Sequence, residues 1–266
     1  MQQVVADFID ECETLEQLLL SAKPDDWTRQ TQFLSWTLES VLLHLHFWNS
    51  ALDTALLQPE EFAKLIAQVG EALPNGGLRA LEDSAIKPRG EELFEEWRSG
   101  FRQMQSRWSA LDPKQRVAWA GPSMSVRSAI TARQMETWAH GQEIFDLLGQ
   151  QRQEADRLKN IVMLCVNTYD WSFKVRGREA PGPMPQLKLQ SPSGLLWEFG
   201  QSDGINSISG SAVGFAQVNA QTRNAADTDL VVSGPIATDW MANAQCFAGP
   251  PEQPPVAGSR HRNVYV

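Results

Sequence analysis

The sequence predicts an α+β, multi-domain chain: an N-terminal up-and-down four-helix bundle followed by a smaller α/β domain. Three observations support that class. Through most of the first half, apolar residues recur at three- and four-residue steps, the period of an amphipathic helix. Past a breaker cluster at Pro181-Gly182-Pro183-Met184-Pro185, short alternating runs and short helical runs interleave. The 266 residues, 42% hydrophobic and with 10 Trp, suffice for one large domain or two ordinary ones.

Val4, Phe8, Cys12, Leu15 and Leu18 or Leu19 mark the first helix, which Lys23-Pro24-Asp25-Asp26 breaks. A second helix begins near Ser35, a residue able to cap it, and runs to about residue 57. Its stripe is Leu38, Val41, Leu42, Leu45, Trp48, Leu52 and Ala55. Pro59-Glu60-Glu61 opens a third helix, and Pro74-Asn75-Gly76-Gly77 ends it. Residues 91–111 form a fourth helical segment bearing Leu93, Phe94, Trp97, Phe101, Met104 and Trp108, stopped by Asp112-Pro113. Gly121-Pro122-Ser123 reads as a loop, and residues 125–149 as a long helix with Gly149 as its stop. Long helices joined by short loops give the bundle.

Residues 155–174 read as one more helix. Leu187-Lys188-Leu189 and Trp197-Glu198-Phe199 alternate, and residues 205–208 are short and strand-like. Residues 212–222 read as a helix, Leu230-Val231-Val232 as a buried strand, and residues 237–247 as a final helix before a Pro/Gly-rich tail. The division is drawn as 1–152 for the bundle and 153–266 for a linker helix plus the α/β domain.

Charge narrows the function. A net −9 and an isoelectric point near 5.0 argue against sequence-independent nucleic-acid binding and against adsorption to an anionic membrane. No stretch is apolar for long enough to span a bilayer. The first sixteen residues lack the basic-then-apolar order of a signal peptide. Cys12, Cys165 and Cys246 are scattered, odd in number and outside any CxxC motif, which suits a reducing cytoplasm.

The segment from Arg133 to Glu143 carries the chemistry. Glu136 and His140, two metal-ligand types, stand four residues apart in a helix, so both leave the same face one turn apart. Ala129, Arg133, Glu136, His140, Glu143, Ile144 and Leu147 fall within roughly one third of that helix's circumference. A carboxylate on so apolar a stripe needs a partner. Two accounts compete here: an internal ion pair of Arg133 with Glu136 beside a satisfied histidine, or a metal site. In the second helix His44 and His46 flank the apolar stripe on opposite sides, and periodicity does not say which points inward.

The segment Ser35-Trp36-Thr37-Leu38-Glu39-Ser40-Val41-Leu42-Leu43-His44-Leu45 resembles the second-helix motif of the mycothiol-dependent maleylpyruvate isomerase N-terminal domain, a branch of the DinB-like bundles. Residues 133–149 are similar to that family's fourth-helix motif, in which Glu and His four apart supply two ligands. The resemblance implies that His44, Glu136 and His140 are metal ligands and that His46 is not. The family's usual Asp four residues before the first His is Ser40 here. Residues 208–212, 227–230, 240–241 and 247–251 look like an uncharacterised bacterial two-domain subgroup, whose second domain is similar to the sterol-carrier fold.

A two-His, one-carboxylate set favours Zn²⁺ and also suits Ni²⁺, Fe²⁺ or Co²⁺. Three protein ligands leave a position for water or substrate, the pattern of a catalytic site. The resemblance implies activation of a low-molecular-weight thiol for isomerisation or S-transfer, with a small-molecule substrate. Arg133, which shares the ligand face, is a candidate for binding a substrate carboxylate; Glu143 is a candidate orienting group or base. Arg127 and Arg223 could also bind a carboxylate but read better as surface arginines, His261 reads as a solvated tail residue, and Trp36, Trp48 and Trp138 read as core in preference to a pocket wall. The alternative is a small apolar-ligand binding protein with a structural or vestigial metal; an interaction-only bundle is the remote third. A homodimer is compatible with either of the first two.

Overall fold

Four long helices make the N-terminal unit. The computed structural model describes residues 1–263. Helix α1 (Gln2–Leu19) is followed by a connection containing a short 3-10 turn, then by α2 (Leu38–Leu57) and α3 (Pro59–Ala72). A short α4 (Leu78–Ala85) precedes α5 (Gly90–Ser109). A hairpin, β1 (Arg116–Trp119) with β2 (Gly121–Ser125), leads into α6 (Val126–Leu147). Both α1 and α2 pack on α5 and α6, so the first two helices stand across the bundle's diagonal. Long connections at residues 20–37, 58–89 and 110–125 permit that arrangement.

The core is the set the periodicity picks out. Phe8, Leu15, Leu42, Leu45, Trp97, Trp108 and Ile130 are wholly buried. Aromatic pairs fix the layers, with Phe8 5.1 Å from Trp108 and Trp97 4.9 Å from Phe101 between ring centroids. Each large side chain so buried contributes about 1.5–3 kcal/mol.

Local chemistry sets the helix ends. The cap of α2 is Thr37, whose hydroxyl accepts from the Ser40 N–H at 3.1 Å, and not Ser35. Ser35 has φ 56°, next to Leu34 at 49°, whereas an N-cap needs an extended backbone. The pair turns the chain so that Thr31 N–H reaches the Trp36 carbonyl at 2.8 Å, which places Trp36 at the foot of α2. Ser125 caps α6 and Gly149, at φ 68°, lies just past its end. Two elements depart from the expected order. Helix α4 lies where no helix was expected, and the expected loop at 121–123 is strand β2, with Trp119 of the hairpin stacked 5.6 Å from Phe62.

The second unit begins at Gly149. The single helix expected over 155–174 is two, α7 (Leu158–Asn167) and α8 (Tyr169–Lys174). Thr168 separates them: its hydroxyl donates back to the Leu164 carbonyl at 2.8 Å, a competition that bends helices. Strands β3 (Gln186–Gln190), β4 (Leu196–Phe199), β5 (Ser207–Ser211) and β6 (Val231–Ser233) form one sheet in the order β4-β3-β5-β6. Pairing is antiparallel at β3–β4 and β5–β6 and parallel at β3–β5. Helix α9 (Ala212–Asn219) packs on α7 and against the sheet, and α10 (Pro235–Asn243) packs on α8. Leu187, Leu189, Ile208, Phe173, Phe215 and Trp240 are buried here. The strand at 230–232 is not buried as expected: β6 pairs on one side only, and Val231 is 62% exposed.

Candidate metal centre

Helices α2 and α6 pack together, and their facing residues include His44, Glu136 and His140. One ligand atom from each of these three lies within 4.8 Å of the others. His140 Nε2 stands 3.3 Å from Glu136 Oε2, and the two imidazoles meet edge-on with centroids 4.8 Å apart. All three side chains are largely buried while keeping some exposure. Among the described residues this is the one such cluster of His, Cys, Asp and Glu, and it has three members.

The surroundings are aromatic and ordered. Trp36, expected in the core, is instead partly buried and lines the cluster: it stacks nearly parallel to His140, 5.7 Å away, and is tilted against His44 at 5.2 Å. Phe33 meets the His140 ring edge-on at 5.2 Å. On the far side of His44, Nδ1 lies 2.8 Å from Oε1 of Glu82, a wholly buried residue of α4. Trp48 Nε1 donates to that same oxygen at 3.0 Å, and Arg79 Nη1 donates to the other at 2.7 Å. The Arg79 guanidinium also sits 4.5 Å from the Trp36 ring centre.

Electrostatics put the set in ligand-ready form. Burial alone pushes the Glu136 carboxyl up; the hydrogen bond from His140 and the charges of His140, Arg133 and His44 outweigh it and bring it to about 2. Burial pulls His44 below the usual imidazole range, against the upward pull of Glu82. At neutral pH the carboxylate is therefore ionised and His44 neutral, the forms that bind a cation. Two imidazoles and one carboxylate within a few ångströms fit a divalent transition ion.

The remaining candidates disperse. His46 turns to α5, with Nε2 3.7 Å from Glu96 and its ring against Gly100. Among the described residues the ion pair of Arg133 with Glu136 does not form: Arg133 Nε donates instead to Asn49 Oδ1 at 3.0 Å, deep between α2 and α6. Its Nη2 and Asn49 Nδ2 are buried with no hydrogen-bond partner among the described residues. Glu143 is buried on α6, Arg127 is exposed, Arg223 binds the Thr222 carbonyl, and His261 lies in the tail near the Gly258 carbonyl. Ser40, in place of the family's Asp, receives the Thr37 hydroxyl at 2.9 Å. The reading from sequence missed Glu82 and Arg79; a buried acid three residues after an arginine, in a helix of eight residues, carries no periodic signal.

A four-helix bundle with a His/Glu/His cluster on two facing helices, in a chain that continues into an α/β unit, defines a class of bundle proteins with a candidate three-ligand metal centre. The chain belongs to the mycothiol maleylpyruvate isomerase N-terminal domain family, whose model matches residues 8–145, a span that contains all three clustered residues. An uncharacterised protein from each of two Mycobacterium tuberculosis strains is 34% identical over 249 residues, covering 93% of this chain and 96% of the relative. The crystal structure of the mycothiol-dependent maleylpyruvate isomerase shares the fold at TM-score 0.55 and 16% identity, over 88% of this chain and 95% of that one. A histidine-to-alanine mutant of that isomerase matches at TM-score 0.54 and 15% identity, with the same coverage.

Proposed function

We propose that the chain is a divalent-metal-dependent enzyme that activates a low-molecular-weight thiol for isomerisation of, or S-transfer to, a small electrophile. The observation that carries this is the three-membered cluster itself: ligand atoms from His44, Glu136 and His140 within 4.8 Å, with no fourth member among the described residues. Three protein ligands are the pattern of a catalytic rather than a closed structural site. We assign Zn²⁺ as the ion held. When bound, such an ion lowers the pKa of a coordinated thiol and makes it a nucleophile at neutral pH.

The chain's own residues prepare that chemistry. Glu136, held ionised, supplies the anionic ligand. Arg133, buried on the same helix, offsets its charge and lowers the cost of holding a carboxylate out of water. Phe33 and Trp36 flank the His140 ring and restrict its orientation. The relatives' name supports a thiol as co-substrate, and mycothiol is the first to try. The three cysteines are unpaired and no described helix is long and apolar enough to cross a membrane; we place the protein in the cytoplasm.

Metal analysis of the purified protein is the first test. One transition ion per chain in wild type, lost in H140A, supports the assignment; no stoichiometric metal in wild type, or full metal in H140A, sinks it. With Co²⁺ in place, adding the thiol should change the visible ligand-field bands. An unchanged spectrum under saturating thiol removes the thiol-activation step and leaves the metal site.

A further inference from the structure

We propose that Glu82 is a positioning residue of the metal centre, fixing the tautomer of His44 so that Nε2 faces the cation; the role rests on the metal reading above. Besides His44, the two hydrogen-bond neighbours of the Glu82 carboxylate can only donate. Trp48 Nε1 and Arg79 Nη1 each donate to it, at 3.0 and 2.7 Å, and neither can accept. The Arg79 guanidinium on one carboxylate oxygen and the Trp48 N–H on the other make this the environment of an ionised carboxylate by geometry alone. An ionised carboxylate only accepts, so the proton of neutral His44 sits on Nδ1, 2.8 Å from Oε1. The lone pair is thereby left on Nε2.

The same device reaches the second histidine. Arg79 donates to Glu82 from the edge of its guanidinium and lays the face of that group over Trp36, and Trp36 stacks on His140. Helix α4 thus orders one imidazole directly and the other through an indole. Carboxylate–histidine–metal arrangements of this kind hold ring orientation and raise ligand basicity.

The full-length chain and Zn²⁺ provide the test. In competition with a chromogenic chelator, E82Q is expected to bind Zn²⁺ roughly 10- to 100-fold more weakly than wild type. The carboxamide must turn its NH₂ toward either Arg79 or the His44–Trp48 pair, donor against donor. E82D keeps the charge on a shorter arm and is expected to fall between the two. Nitrogen NMR of the imidazole rings in metal-free wild type is expected to show His44 protonated on Nδ1, with E82Q a mixture of tautomers. That signature does not follow from a merely structural role. E82Q binding Zn²⁺ within about twofold of wild type overturns the proposal, as does a wild-type His44 protonated on Nε2. Should E82Q fail to fold, the wild-type tautomer and the E82D affinity decide. Failure of the metal reading looks different: wild type takes up no Zn²⁺ while the Nδ1–H tautomer persists, which overturns the role in metal binding and leaves the hydrogen bond standing.

Discussion

At the residue scale, two histidines separated by one residue have opposite environments. His44 faces Glu82, His140 and Trp36; His46 faces Glu96 and Gly100 on α5. Substituting each gives the sharpest contrast. H46Q is expected to keep full metal stoichiometry and to shift affinity less than about threefold, because His46 turns away from the cluster and its 3.7 Å contact is with a half-exposed Glu96. H44A is expected to lose at least about a hundredfold in affinity, since two ligands hold a divalent ion far less tightly than three. Parallel chelator competitions check both; equal losses in the two variants would mean that the site lies elsewhere. Sequence pattern alone could not make this choice. Both residues border the stripe of Leu38, Val41, Leu42 and Leu45, and a 3.6-residue period leaves the two borders equivalent. The motif resemblance chose His44, and the packing of α2 on α6 brings that residue to Glu136 and His140.

At the element scale, long helices were legible and short ones were not. Over α1 and α5 the period is strong because each buries one face along about five turns, whereas α2 and α6, buried around more of their circumference, are legible from their length and end signals. Helix α4 has eight residues between Gly77 and Ile86, with Leu78 and Leu81 as its apolar contacts. Its buried Glu82 is explained by partners on α2, which no local pattern announces. In the second unit the turn into α10 depends on Gly234, at φ 85°. A Cβ there would lie 2.4 Å from Asn206 Oδ1 and 2.6 Å from the Ile205 carbonyl. That amide oxygen accepts the Ile236 N–H, so displacement also uncaps the helix. G234A is expected to cost about 1–3 kcal/mol in urea unfolding; an unchanged midpoint would show that the turn relaxes freely. The loop before β5 makes a prediction about pH. Asp203 accepts from the Asn206 side chain at 2.8 Å and from the backbone N–H groups of Asn206 and Ile205 at 2.7 and 2.8 Å, which hold it at about 2. A folded-state pKa below the unfolded value of roughly 3.9 stabilises the fold above that pH and is lost as pH falls toward the folded value. Carboxyl NMR titration should place its midpoint near 2, and D203N should flatten the acid limb of stability. A midpoint in the ordinary Asp range would show that the turn is open in solution.

At the scale of the whole molecule, all three clustered residues and Glu82 belong to the unit Met1–Leu148, and the family match at 8–145 covers the same stretch. The relatives at 34% identity nevertheless span both units, so the α/β unit accompanies the bundle in them as well. An ion held between α2 and α6 ties two helices that are also joined by the buried Arg133–Asn49 hydrogen bond, and binding to the folded state alone adds stability by mass action. At a free ion concentration a thousandfold above Kd the gain is about 4 kcal/mol. Hydrogen exchange read by mass spectrometry locates that gain. With Zn²⁺ added, amides of α2 and α6 are expected to slow most, and those of α4 to follow because Glu82 and Arg79 are hydrogen-bonded to groups of α2. Removal of the ion with a chelator should reverse the change. In E82Q the slowing over α4 should disappear first, because the link from His44 to that helix is the one broken. Slowing confined to peptides beyond Gly149 would place the ion in the other unit and refute the assignment of His44, Glu136 and His140.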